Sequence, residues 1–377
     1  YSSDIEEFEQ IYNKYEQDPL FHKTYVSARE IVITALNEAF ETGRKYLHFI
    51  DEMNTHTPFK DPIVMSNLCQ EIMLPTAGYN DMTELYSNDE DVEGEIGLCS
   101  LAGINVDRIN SDEEYEEAMY YALKMIDRCI DLNEFALPHL EVTAKARRSA
   151  GIGIIGLAHY MAQRGLSYSS QEGLDEIHRL AERHMYFAIK ASLRLAKELG
   201  PAKWMNKTKW VDGWLPIDTY NKNVDELTSV ELQYDWEALR KEIIANGGIR
   251  NSVLVAHMPS ESSSIASETT NGLYPIRDLT LIKGDATKIT YWAAPNGEEL
   301  KDKYEIAWDI PSTDLIKVYA IVQKFTDQGI SGDLYADVSS SKVSSSEMLR
   351  EYFSMVKYGL KTRYYQNTLT TRGTSLD

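Results

Sequence analysis

Asn67, Cys69 and Glu71 stand two residues apart in the segment Ser66-Asn67-Leu68-Cys69-Gln70-Glu71-Ile72. In an extended stretch that spacing sets all three side chains on one side. One face then offers an amide for hydrogen bonding, a thiol, and a carboxylate able to move a proton. The same pattern also fits a buried cysteine beside surface polar residues. Cys99 lies in a short apolar run, residues 96–101, which reads as a buried strand. There it is either a reactive thiol or a small strand-core residue. Pro259-Ser260-Glu261-Ser262-Ser263 follows an apolar run at 252–258, read as a strand, and is expected to open a helix. Hydroxyls and free backbone N–H groups at a helix start bind phosphate, and the same groups serve ordinary N-capping. Tyr364-Tyr365 is an adjacent phenol pair, and most such pairs are core.

Other chemistry is excluded by spacing. Gly151-Ile152-Gly153-Ile154-Ile155-Gly156 matches the dinucleotide fingerprint, which needs a strand before its first glycine. Residues 143–150 instead look helical and basic, so the glycines are assigned to close backbone packing. The cysteines, Cys69, Cys99 and Cys129, form no C-x-x-C pair, and no H-E-x-x-H occurs, so no metal site is expected. Three sparse cysteines also argue against a secreted disulfide scaffold and fit a reducing cytoplasm. Cys129 falls on an expected helix stripe of Ala118, Ala122, Met125 and Cys129 and is read as structural.

The elements that must position these groups read as α/β. Residues 4–48 look helical in two amphipathic stretches, closed by Gly43. Residues 49–80 carry Pro58, Pro62 and Pro75 and read as one long loop, ordered in its apolar second half. Residues 80–95 are acidic and expected to be an exposed loop. Ser111-Asp112-Glu113-Glu114 is a capping box before a helix reaching about Asn133. Helices are expected to Gln163, over 170–199 up to Gly200, over 314–326 and over 345–358. Trp204, Trp210 and Trp214 should pack an irregular section at 201–235. Residues 287–294 alternate as a strand within a β-rich stretch at 280–310. A formal charge of −21 repels nucleic acid, and no apolar run is long enough for a membrane helix. The N-terminus has no signal-peptide pattern.

The segment 66–72, with Leu74-Pro75-Thr76, resembles the finger loop of class I ribonucleotide reductase large subunits. The same family is resembled by Thr42-Gly43-Arg44-Lys45-Tyr46, Asn54-Thr55-His56-Thr57-Pro58 and Gly94-Glu95-Ile96-Gly97-Leu98-Cys99-Ser100. Further matches are the glycine segment from Gly151, Met258-Pro259-Ser260-Glu261-Ser262-Ser263, Thr270-Asn271-Gly272 and Lys361-Thr362-Arg363-Tyr364-Tyr365-Gln366-Asn367. They fall in family order over nearly the whole chain.

The resemblance implies the second half of a ten-stranded α/β barrel with a radical-cysteine finger loop and surrounding helices. Residues 1–48 would be a helical lead-in, 49–80 the finger loop, and 81–377 the half-barrel with its radical-transfer tyrosines. Cys69 would carry a thiyl radical, Glu71 would be the general base, and Asn67 would hold the ribose hydroxyls. Cys99 would be one of two cysteines that reduce the substrate. Tyr364 and Tyr365 would relay the radical, and Ser260, Glu261, Ser262 and Ser263 would take the diphosphate. No cofactor would bind this chain directly. The radical would come from the metal cofactor of a small subunit, and an external dithiol of thioredoxin or glutaredoxin type would restore the thiols. The glycyl-radical class would need its own motif near the C-terminus, which Arg372-Gly373 matches poorly.

Two family features are not in the sequence: the part before Tyr1, with the effector sites and the second active-site cysteine, and a C-terminal cysteine pair. The expectation is a hetero-oligomer with a chain supplying the N-terminal half, a small subunit and a ribonucleoside diphosphate. A non-catalytic scaffold homologue and a nucleotide-cofactor oxidoreductase are the rival readings.

Overall fold

The computed structural model describes residues 5–284, 289–339 and 343–370. The helical lead-in is two helices, α1 (Ile5–Gln17) and α2 (Ala28–Thr42). The Ser27 hydroxyl caps α2 by accepting from the Glu30 N–H. Gly43 closes it at φ 71°, where a side chain would be strained. Strand β1 (Leu47–His48) follows, then α3 (Ile50–Thr55), which replaces the start of the expected long loop. The Asn54 side chain explains this turn of helix. Its Nδ2 donates to Ile50 O and Ile63 O, and its Oδ1 accepts from Ile63 N. Beyond α3 the chain is irregular to Cys99, apart from a 3₁₀ turn at Met82–Tyr86. The acidic loop is not exposed throughout. Glu95 is buried, because it accepts two hydrogen bonds from Arg147.

Strands β2 (Ser100–Asn105) and β3 (Ala150–Ile155) pair in parallel, Ser100 opposite Ala150 and Asn105 opposite Ile155. The expected strand at 96–101 is thus displaced toward the C-terminus. Pairing with the fully buried β3 sets the start of β2, and Cys99 precedes it by one residue. Helices α4 (Asp112–Leu132) and α5 (Pro138–Arg147) connect the two strands. Ser111 caps α4 by accepting from Glu114 N, but the Glu114 carboxylate reaches Asn110 N, so only half of the capping box forms. The buried stripe of α4 is Tyr115, Met119, Leu123, Ile126 and Ile130. Met125 and Cys129 are exposed, which corrects the expected stripe. That reading followed the small residues Ala118 and Ala122. The larger apolar side chains one step round the helix bury more area.

The glycines of β3 serve close approach, as expected. A Cβ at Gly151 would lie 2.5 Å from Leu101, and one at Gly153 would lie 2.6 Å from Met258 Sδ and 2.9 Å from Ala256 O. Helix α5, not a strand, precedes them, and α6 (Leu157–Arg164) and the long α7 (Gln171–Leu199) follow. Trp204, Trp210 and Trp214 are buried in the irregular section, which ends in the single turn α8 (Pro216–Thr219) and in α9 (Trp236–Asn246).

Residues 252–257 are buried and bonded on both sides, yet not a regular strand. Val253 O and Leu254 O accept from β3, while Gln328 N donates to Val255 O and His257 N donates to Gly329 O. The Asp327 carboxylate takes the N–H groups of Leu254 and Val255, so a side chain stands where a ladder partner would. Next come α10 (Glu261–Ala266), the antiparallel pair β4 (Thr280–Gly284) and β5 (Ile289–Ala293), and α11 (Ser312–Lys324). The expected strand at 287–294 begins in 285–288, outside the described residues, as does Arg372-Gly373. Strand β6 (Leu334–Asp337), α12 (Ser345–Lys357), β7 (Thr362–Arg363) and β8 (Gln366–Leu369) complete the chain. Strands β6 and β8 are parallel, and β1 pairs antiparallel with β7.

The class is therefore mixed α/β, as expected. The sheet pairings among the described residues are two-stranded, and no closed barrel is among them. One large core includes Ile104, Leu123, Ile152, Ile189, Ile316 and Ile321. A second cluster of Met53, Phe59, Ile63, Met73, Leu74 and Val253 lies under residues 49–80, which is why that loop is ordered. Among the described residues no helix is long and apolar enough to cross a membrane.

Candidate active site

The segment around Cys69 is a tight turn, not an extended stretch. Asn67 O accepts from Gln70 N at 3.2 Å, Asn67 N donates to Ile72 O at 3.3 Å, and Asn67 Oδ1 accepts from Ile72 N at 3.1 Å. Gln70 takes a left-handed backbone, φ 73°, without the help of a glycine. The turn overrides the two-residue alternation. Asn67 is exposed, Cys69 is half-buried near the tip, and Glu71 is 2% exposed.

Residues far away in sequence hold this turn. The Ser331 hydroxyl lies 2.6 Å from Cys69 O and 3.1 Å from Glu71 Oε2, within donating distance of both. Gly329 N donates to Glu71 O at 2.8 Å. The buried Gln328 accepts from Met73 N, donates to Ala150 O at 2.8 Å, and has its Nε2 4.0 Å from Cys99 Sγ. One short segment, 328–331, thus reaches both thiol-bearing stretches. Burial pushes the Cys99 thiol well above its ordinary range, so it keeps its proton at neutral pH. An added Cβ at Gly151 would stand 3.4 Å from Cys99 Sγ, so that glycine also leaves room for the thiol.

The rings of Tyr364 and Tyr365 are in contact, centroids 4.2 Å apart and tilted at 41°. Tyr364 is buried, with Cys69 and Tyr365 the groups that act most on its hydroxyl. Burial, then those two neighbours, raise its pKa above that of an ordinary phenol. Tyr46 joins them, its ring 5.0 Å from Tyr364 and 5.7 Å from Tyr365. Lys361, fully buried just before β7, donates to the carbonyls of Thr326, Asp327 and Gln328 at 3.3, 3.0 and 2.7 Å. Desolvation lowers the pKa of this ammonium and raises that of the Asp327 carboxyl, each opposed by the other's charge. The segment leading into β7 and the tyrosines is held to the 326–328 turn by this side chain.

At the other candidate region, Ser260 is buried and already occupied. Its hydroxyl bonds Asn271 Oδ1, Gly272 N and the Ser264 hydroxyl. Asn271 Oδ1 also accepts from Ser260 N and Glu261 N, at 2.9 and 3.1 Å. The side chains of Glu261, Ser262 and Ser263 are exposed. Helix α10 does start here, as expected.

Of the residues singled out from the sequence, Cys69, Glu71, Tyr364 and Tyr365 lie together; Ser331, Gln328, Lys361 and Tyr46 adjoin them without having been singled out. Tyr46 and Lys361 were inside segments matched for resemblance. Ser331 and Gln328 carried no local signal. Among the described residues no group of three or more His, Cys, Asp or Glu could hold a metal ion.

The sequence matches the family described as ribonucleotide reductase, barrel domain, over residues 1–295 and 285–366. It is 42% identical over 373 residues to the ribonucleoside-diphosphate reductase subunit alpha of Haemophilus influenzae, covering 97% of this chain and 48% of the relative. It is 41% identical to the ribonucleoside-diphosphate reductase 1 subunit alpha of Escherichia coli K12, with the same two coverages. The subunit alpha of Enterobacteria phage T4 is 36% identical over 385 residues, 99% of this chain and 49% of the relative. The chain spans about half the length of these curated relatives.

Proposed function

The chain belongs to the ribonucleotide reductase barrel-domain family, and from that premise we propose that it is the catalytic part of a ribonucleoside-diphosphate reductase alpha subunit. Residues 1–48 are its helical lead-in, 49–80 its finger loop, and 81–377 the second half of a ten-stranded barrel. The observation that carries the reading is the spatial order Tyr365, Tyr364, Cys69, with the buried Glu71 tied to Cys69 through Ser331.

A small subunit's metal cofactor supplies the radical when that subunit is bound. Within this chain, Tyr365 gives up a hydrogen atom first, and Tyr364 then restores it. Cys69 restores Tyr364 and is left as a thiyl radical. Phenols suit these exchanges because proton and electron leave together, and a thiol suits the last because its S–H bond is weak. Cys69 sulfur takes the ribose 3′ hydrogen. Glu71, oriented by Ser331, takes the 3′-hydroxyl proton, and Asn67 Nδ2 holds the hydroxyls. The 2′-hydroxyl leaves as water. Cys99 and a second cysteine outside this chain become a disulfide, giving one proton to that water, one hydrogen atom to C2′ and one further electron to the sugar; Glu71 returns its proton to the 3′ oxygen, and Cys69 returns the 3′ hydrogen. The high pKa of Cys99 suits a donor that must act as thiol. Glu261, Ser262 and Ser263 receive the diphosphate, with Ser260 holding their backbone in place. An external dithiol of thioredoxin or glutaredoxin type reduces the disulfide, and the reducing cytoplasm is the matching compartment.

The working enzyme is then a hetero-oligomer of this chain, a chain supplying the N-terminal half, and the small subunit. Reduction of cytidine diphosphate by that assembly, with effector and dithiol, tests the reading. Product should require every chain. No product from a verified, stable assembly would favour the non-catalytic scaffold.

A further inference from the structure

Three phenols meet beside Cys69. Strand β1 pairs antiparallel with β7, Leu47 opposite Arg363 and His48 opposite Thr362. Continuing that register by one residue sets Tyr46 opposite Tyr364. Its ring lies 5.0 Å from Tyr364 at 41° and 5.7 Å from Tyr365 edge-on at 76°. Tyr365 is the side chain that acts most on the Tyr46 phenol, and the Tyr46 ring is half-buried. Tyr365 is also only half-buried, so burial alone does not fix its ring. Its ring neighbours among the described residues include Tyr364 and Tyr46.

We infer that Tyr46 is a positioning residue for radical transfer, its hydroxyl holding the Tyr365 phenol in line with Tyr364. The inference rests on the reading that Tyr364 and Tyr365 carry the radical. In the transfer between them, a hydrogen atom leaves the Tyr364 O–H and joins the Tyr365 oxygen radical. One phenol is oxidised and the other reduced, and Tyr46 gains and loses nothing. Burial, then the neighbouring Tyr365, hold the Tyr46 phenol above its ordinary range, so it keeps the proton it would donate. The effect is geometric. Hydrogen transfer depends steeply on the distance and angle between the two oxygens, and a half-exposed ring without an anchor samples other rotamers.

Tyr46→Phe separates the hydroxyl from the ring, because it keeps the packing against Tyr364. The first measurement uses this chain alone, with 3-fluorotyrosine at position 365. Its fluorine resonance should move when Tyr46 becomes Phe, and an unmoved resonance overturns the inference. The second uses the complete assembly. Tyr46→Phe should lower kcat ~3- to 10-fold, the size of one lost hydrogen bond, with KM for the nucleotide unchanged. Placing 3-fluorotyrosine at 46, which keeps the hydroxyl, should restore turnover. Unchanged kcat in Tyr46→Phe, or a rise in KM alone, overturns the inference. If the wild-type assembly forms product while Tyr365→Phe does so equally well, the radical reading itself has failed and the inference falls with it.

Discussion

His178 on α7 is 1% exposed, and neither of its ring nitrogens has a hydrogen-bond partner. Its ring stands edge-on to Phe325, centroids 5.0 Å apart. Burial, then the Lys324 ammonium, push its pKa down to about 4, against smaller opposing pulls from Asp225 and Asp175. The unfolded chain takes up this proton near pH 6.5, but the folded chain resists it until about pH 4. The group's contribution to stability is therefore complete above pH 6.5 and is lost as pH falls from 6.5 to 4. At pH 5 the difference in proton binding amounts to about 2 kcal/mol. His178→Leu removes that loss, and it breaks no hydrogen bond. Urea unfolding followed by the fluorescence of the buried tryptophans would measure it. The gain on substitution should be about 2 kcal/mol larger at pH 5 than at pH 8. His184→Leu is the contrast, since its ring also titrates near pH 4 but bonds Tyr115 Oη and Ile152 O. It should destabilise the protein at pH 8. An equal effect of His178→Leu at both pH values would refute the reasoning.

Other outcomes follow from the packing and the site. Gly153→Ala should cost about 1–3 kcal/mol in the same unfolding assay, because the new Cβ meets Met258 and the fixed Ala256 carbonyl. Arg147→Met should cost about 3–5 kcal/mol by leaving the buried Glu95 carboxylate unpaired, and adding Glu95→Leu should recover much of it. Ser331→Ala should leave folding near wild type by circular dichroism and lower turnover of the assembly ~10-fold by loosening Cys69 and Glu71.

Local chemistry made much of the fold legible. Ser111, Ser170 and Ser344 each cap a helix where the sequence places the start, and Gly43 and Gly200 end theirs. These signals act within four residues. The start of β2 and the character of 252–258 were not legible, because the partners that decide them, β3 and Asp327, lie about 50 and 75 residues away in the chain. The candidate site divides the same way. Cys69 and Glu71 were visible as residue types, but the turn between Asn67 and Ile72 depends on a left-handed Gln70 that carries no glycine or asparagine signal. Ser331 and Gln328 act only through the folded chain. Tyr46 stands in a segment that resembles the family but carries no local sign of a role; the pairing of β1 with β7 supplies it.

The claim that Cys69 removes the 3′ hydrogen is tested most directly by single-turnover reduction of cytidine diphosphate deuterated at C3′, in the full assembly. Turnover should slow relative to unlabelled substrate, the deuterium should remain at C3′ of the product, and Cys69→Ser should form none. Equal rates for both substrates together with product from Cys69→Ser would contradict the account.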